Sequence, residues 1–209
     1  MIKFQDIDFT DCDILLKDKW DKQNDKSDQD TNFIYYCKEY KQVIDLAVSN
    51  EVDLILATHR WFNFVCSKAI EEIFCEAGAV AESNEKNKTI DLYINNKPFD
   101  IKVSVVPINY KDTDITTRKE KNELIKWLYE NQSKEGRNHL ENRIFVICKG
   151  NDYFDSLWMK SNFDKIRPKI QAFMNYYKDK PFNQVALNDG KTVLSDIIFI
   201  KHDKMVDKN

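Results

Sequence analysis

The residues of this chain best suited to chemistry lie between Thr89 and Val105, in the run TIDLYINNKPFDIKVSV. Strand side chains alternate between faces with period two. In FDIKVSV, Phe99, Ile101, Val103 and Val105 therefore share one face, and Asp100, Lys102 and Ser104 share the other. In TIDLYIN, Ile90, Leu92 and Ile94 point one way and Asp91 points the other. Pairing of the two strands through the turn Asn95-Asn96-Lys97-Pro98 brings both carboxylates and the ammonium to one spot. Two carboxylates are hard oxygen ligands suited to Mg²⁺, and a lysine beside them can orient or activate a water.

An acid-x-Lys tripeptide alone carries little weight in a Lys-rich chain. It recurs at Glu39-Tyr40-Lys41, Asp100-Ile101-Lys102 and Asp189-Gly190-Lys191. The first falls in a helical pattern, and the third sits in an Asn-Asp-Gly turn, a hairpin signal. Only the middle copy lies in an alternating run with a second aspartate just upstream. The competing reading is a solvated strand face with chance Asp and Lys, and the preceding segment tips the balance. His59 to Gly78 reads as an amphipathic helix, with Thr58 as N-cap and Gly78 as its stop. Phe62, Val65, Cys66, Ala69, Ile73 and Ala77 form its apolar stripe. Glu72 lies on the border of that stripe, where a carboxylate can look into a site beside a sheet. Glu71 falls toward solvent. An ordinary helix-flank glutamate is the competing reading of Glu72.

The order is helix with border Glu, strand, strand with Asp, turn, strand with Asp-x-Lys, helix, strand. It resembles the PD-(D/E)xK nuclease superfamily over roughly residues 58–148. The resemblance implies an α/β domain with a restriction-endonuclease-like core, a mixed central β-sheet flanked by helices. It makes Asp91 the aspartate of the "PD" element, although Thr89-Ile90 replaces the usual proline neighbourhood. Asp100 and Lys102 become the (D/E)xK element, and Glu72 the acid of the first core helix. Asp91, Asp100 and the carbonyl of Ile101 would then hold Mg²⁺, with Mn²⁺ as a substitute and Glu72 assisting. The implied activity is metal-dependent hydrolysis of DNA phosphodiester bonds, with a restriction endonuclease as the first expectation. The alternatives are a repair, recombination or RNA nuclease of the same fold, and a non-catalytic module that binds nucleic acid or protein. On this reading alanine at Asp91, Asp100 or Lys102 abolishes cleavage and spares the fold, and Glu72→Gln costs more activity than Glu71→Gln.

Composition agrees and limits little else. At 209 residues the chain is read as a single domain, residues 1–209, with a sizeable core. It has no apolar run of membrane-spanning length and no signal-peptide pattern, so a cytoplasmic protein without a membrane partner is expected. Its five cysteines are scattered with no C-x-x-C pair, which points to reduced core residues and away from zinc. Residues 1–100 hold 12 Lys and Arg against 20 Asp and Glu, a balance of −8, whereas residues 101–209 balance at +5. A local basic surface decides nucleic-acid binding, not the chain total. The segment QSKEGRNHLENR supplies Gln132, Lys134, Arg137, Asn138, His139 and Arg143 as candidate contacts to duplex DNA. Arg143 abuts an apolar strand and has a structural ion pair as its competing reading. Lys160 to Lys169 form a second basic face. Cleavage of both strands favours a homodimer, by matching the two-fold symmetry of duplex DNA.

The remaining elements follow from pattern. Gln23 to Thr31 reads as an exposed loop and Phe33 to Asn50 as a helix. Val52 to Ala57 is a strand or a helix start. Ala79 to Ala81 should begin a strand that pairs with Thr89 to Asn95. Thr116 to Gln132 is helical, and Ile144 to Cys148 is a strand covered on both sides. Leu157 to Tyr177 is a long helix broken or restarted at Pro168, and Val193 to Ile200 is a last strand.

Overall fold

The computed structural model describes residues 3–18, 25–84, 87, 89–110, 115–131 and 142–201. By its contacts the chain forms two compact units, Met1–Glu72 and Ile73–Asn209.

The first unit carries α1 (Asp13–Leu16), α2 (Asp25–Asp30), α3 (Tyr40–Ser49) and most of α4 (Leu54–Glu76). The segment read as an exposed loop thus contains a helix, α2. Its acidic sequence hides the reason: the guanidinium of Arg60 on α4 donates to the carbonyls of Ser27 and Asp28 and pairs with the Asp28 carboxylate at 3.3 Å. Val52 to Ala57 proves to be a helix start. Asp53 caps α4, its Oδ1 accepting the Leu56 N–H at 2.7 Å. Thr58, expected as the cap, sits inside the helix, donates to the Leu54 carbonyl at 2.6 Å and bonds the Tyr40 hydroxyl. The helix does stop at Gly78, whose φ of 107° suits a residue without a Cβ. Trp61 is fully buried against the rings of Phe9 and Tyr40, and its indole N–H reaches the Cys37 carbonyl at 3.1 Å.

The second unit is built on a six-stranded mixed sheet in the order β1-β2-β3-β4-β6-β5. The strands are β1 (Val80–Ala81), β2 (Leu92–Ile94), β3 (Lys97–Val105), β4 (Arg143–Lys149), β5 (Gln184–Ala186) and β6 (Thr192–Lys201). β1–β2, β2–β3 and β5–β6 pair antiparallel, while β3–β4 and β4–β6 pair parallel. The β2–β3 hairpin closes on two residues only, Asn95 and Asn96, at φ 49° and 59°. Asparagine tolerates this left-handed backbone, which matches the strand twist. Lys97 and Pro98, expected in the turn, belong to β3. The run Ile144 to Cys148 is fully buried at the centre of the sheet, as its unbroken apolar character requires.

Helices α5 (Arg118–Asn131), α6 (Tyr153–Trp158) and α7 (Phe163–Tyr177) accompany the sheet. Leu124, Ile125, Leu128 and Tyr129 of α5 pack against Phe145, Ile147 and Ile197, which share one sheet face. Ile144, Val146, Cys148, Asp196, Ile198 and Ile200 alternate onto the other face, where Tyr177 of α7 bonds Asp196. The helix expected from Leu157 to Tyr177 breaks at Asn162, whose side chain accepts the Lys165 N–H, and not at Pro168. Pro168 lies inside α7, which continues past it.

Thr117 and Glu120 cap α5 reciprocally: Glu120 Oε2 accepts the Thr116 and Thr117 N–H groups at 2.7 Å, and the Glu120 N–H reaches Thr117 Oγ1 at 3.2 Å. These bonds lower the Glu120 pKa from 4.5 to about 2. A carboxyl whose folded pKa is depressed stabilises the fold above its unfolded value and loses that contribution as pH falls through the folded one. Acid titration of stability should therefore be shallower between pH 4.5 and about 2 in Glu120→Gln than in the wild type. Parallel acid profiles would show that the cap carries no folding energy.

Candidate active site

The site begins where β2 and β3 part. Their ladder runs from Ile94–Lys97 to Leu92–Phe99. Beyond it the Asp91 N–H still reaches the Phe99 carbonyl at 3.0 Å, but the next donor on β3, the Ile101 N–H, is taken by Asp91 Oδ2 at 2.7 Å. A side-chain carboxylate thus replaces a backbone acceptor, and the two strands fork there. The Asp100 N–H points the other way, to the Asn142 carbonyl at 2.9 Å. By strand alternation the Ile101 carbonyl faces the fork with its own N–H.

Asp100 stands on the face covered by α5, in register with Arg143 on β4. Its side chain is only 4% exposed and lies between two cations. Lys102 Nζ is 2.8 Å from Oδ1, and Arg143 Nε is 2.9 Å from Oδ2. The Arg143 contact lies outside hydrogen-bonding geometry, so it holds by charge. The guanidinium also lies 5.2 Å from the Tyr129 ring centroid. Lys102 differs from both: its side chain is 45% exposed and reaches solvent while touching Asp100.

The structure therefore brings Asp91, Asp100, Ile101 and Lys102 to one fork. Arg143, expected among the DNA contacts, is instead 7% exposed and built into the pair with Asp100. A buried guanidinium serves the fold and not a surface phosphate. Gln132, Lys134, Arg137, Asn138 and His139 lie outside the described residues. Glu72 belongs to the first unit, where its two oxygens accept the N–H groups of Phe4 at 3.1 Å and Gln5 at 3.3 Å. Glu71 is not open to solvent as expected; it is 19% exposed and pairs with Lys68 at 2.7 Å. Glu72→Gln should consequently lower stability by about 1–2 kcal/mol, because its amide presents a donor to one of two backbone donors. Urea denaturation checks this, and unchanged stability would return Glu72 to a role in chemistry alone.

Sequence reasoning gave a structural pair as the competing reading of Arg143 and did not name its partner, Asp100. The five cysteines form no disulfide, and burial pushes the Cys12 and Cys148 thiols up to about 12. Those two thiols are held in the protonated form at neutral pH, which disfavours them as thiolates.

Among the described residues no three His, Cys, Asp or Glu side chains are grouped to share a metal ion. Asp91, Asp100 and the Ile101 carbonyl still fit Mg²⁺, which is commonly held by one or two carboxylates with water and substrate phosphate completing its shell. Each carboxylate has about four lone-pair sites, so the Ile101 N–H on Asp91, or Lys102 and Arg143 on Asp100, do not exhaust it.

Comparison with protein-family models, curated proteins and solved structures finds no match to this chain. Among the described residues no helix is long and apolar enough to cross a membrane.

Proposed function

We infer that this chain is a metal-dependent DNA phosphodiesterase of the PD-(D/E)xK type with a restriction-endonuclease-like core. The observation that carries the reading is the fork at Asp91, with the buried Asp100 and the solvent-reaching Lys102 beside it. The order α4, β1, β2, β3, α5, β4, with β2–β3 antiparallel and β3–β4 parallel, supports it.

Asp91, Asp100 and the Ile101 carbonyl would hold Mg²⁺ or Mn²⁺, which supplies charge stabilisation to a scissile phosphate. The chain's own groups do the rest. Asp100 holds the Lys102 ammonium in place through the 2.8 Å pair. That ammonium reaches solvent, so it can hold the attacking water and stabilise the negative charge that grows on the phosphoryl oxygens. Water oxygen bonds to phosphorus, a carboxylate of the fork takes the proton of the water, and the bond to the leaving oxygen breaks as that oxygen takes a proton from solvent. Arg143 holds Asp100 in position from the neighbouring strand.

A restriction endonuclease acting on duplex DNA as a homodimer is the role we favour. The test incubates the full chain with Mg²⁺ and plasmid, single-stranded, branched or RNA substrates, with chelator controls. Discrete duplex fragments are the expected product. Cleavage confined to branched DNA or RNA would move the role to repair or RNA turnover. No cleavage of any substrate would overturn the enzyme reading and favour a binding module.

A further inference from the structure

β5 pairs with β6 only as far as Leu194, and Asn183 covers the next residue by bonding both peptide groups of Ser195. From Asp196 onward the outer edge of β6 has no strand partner among the described residues. The edge is managed by side chains instead. The Ile197 N–H goes to Asp196 Oδ1 at 2.7 Å, and the Ile197 carbonyl accepts Lys121 Nζ at 2.8 Å. A notch of about 400 Å³ opens at this edge, lined by Arg118 and Lys121 of α5, Lys169, Phe173 and Tyr176 of α7, and Asp196.

Asp196 organises the notch. Its side chain is 4% exposed, accepts the Tyr177 hydroxyl and pairs with Arg118 at 2.7 Å. Lys121 lies 3.9 Å from the same carboxylate. Arg118 and Lys121 face the carboxylate and Lys169 lines the same recess, so three cations share the notch with one carboxylate, an excess of two positive charges. Burial pushes the Lys121 ammonium below its ordinary pKa; Asp196 opposes this and Arg118 adds to it. Glu120 does not offset the excess, since its carboxylate is turned to Thr116 and Thr117. Lys169 is exposed and has no ion pair among the described residues.

We propose that this notch is a binding site for a phosphate monoester. Such a group carries a charge of about −1.5 to −2 at pH 7, which matches the excess, and offers the oxygen acceptors that guanidinium and ammonium donors require. A diester carries one charge and neutralises half of it. The monoester has two sources of the same chemistry: a free nucleotide, or the 5′-phosphorylated end of a nucleic acid. The site stands apart from the fork. Asp196 and Asp100 alternate onto opposite faces of the sheet, so the proposal does not rest on the nuclease reading.

The test uses the full chain in chelator, so that no cleavage intervenes. Inorganic phosphate, AMP, and one oligonucleotide with a 5′-phosphate or a 5′-hydroxyl are titrated by calorimetry. Saturable binding of phosphate and AMP is expected, weakened about tenfold in Lys169→Ala, the loss of one charge-assisted contact. The melting temperature without ligand should not change in that variant, because Lys169 is exposed. A preference for the 5′-phosphate end that Lys169→Ala erases assigns the source to nucleic acid; equal binding of both ends beside AMP binding assigns it to free nucleotide. Asp100→Asn should leave notch binding intact even where it abolishes cleavage. Absence of saturable phosphate and AMP binding, or binding indifferent to Lys169→Ala, would overturn the proposal.

Discussion

Asp100→Ala should lower the stability of the second unit by about 3–5 kcal/mol, the cost of leaving a buried charge without its partner. The reason is Arg143. Its side chain is 9% exposed and its Nε lies 2.9 Å from Asp100 Oδ2, so removal of the carboxylate strands a guanidinium in the sheet. This geometry predicts the opposite of the sequence-based expectation that alanine here spares the fold. Asp100→Asn keeps the shape and a dipole, and is the cleaner variant for cleavage assays. A double exchange, Asp100→Ala with Arg143→Met, removes both charges and should recover much of the loss, because paired removal of buried ions is often near neutral. Urea denaturation of the wild type, Asp100→Ala, Arg143→Met and the double variant measures the coupling. A single-variant cost below about 1 kcal/mol, with additive behaviour in the double, would show that water already solvates the pair.

Lys102→Ala should have the opposite profile. Cleavage should fall by about 10²–10⁴-fold, the usual share of a positioned proton-handling or charge-stabilising group. Stability should change by no more than about 1 kcal/mol, since a 45% exposed ion pair is solvent-screened and the Asp100–Arg143 contact remains. Lys102→Arg should not restore activity: a planar fork cannot place one donor where the ammonium stands. Initial cleavage rates under Mg²⁺, with circular dichroism on the same samples, check this. Wild-type rates in Lys102→Ala would take the lysine out of the chemistry and weaken the case for the fork.

These two outcomes separate a residue that serves both the fold and the site from one that serves the site alone, although both lie on one strand face. That separation was not available from the motif. Asp-x-Lys places both groups on the same side of β3 and says nothing of what lies beneath one of them.

What the sequence determined by itself is local and periodic. Alternation in FDIKVSV specified a strand with Asp100 and Lys102 on one face. The polar run Asn95 to Pro98 specified a hairpin, although its last two residues belong to β3, and the unbroken apolar run from Ile144 specified a covered strand. Gly78 marked the end of α4. Each signal lies within a few residues, where sterics and turn chemistry act without help from the rest of the chain. The tertiary structure decided which partner each charge acquires. Register between β3 and β4 set Arg143 against Asp100. Packing within the first unit gave Glu72 to the N–H groups of Phe4 and Gln5, and Arg60 to α2. The early end of β5 left the edge of β6 open, and Arg118, Lys121, Lys169 and Asp196 line the notch there. A buried charge is satisfied by whichever group the chain brings near it, and that group lies far along the sequence, beyond the reach of any local period.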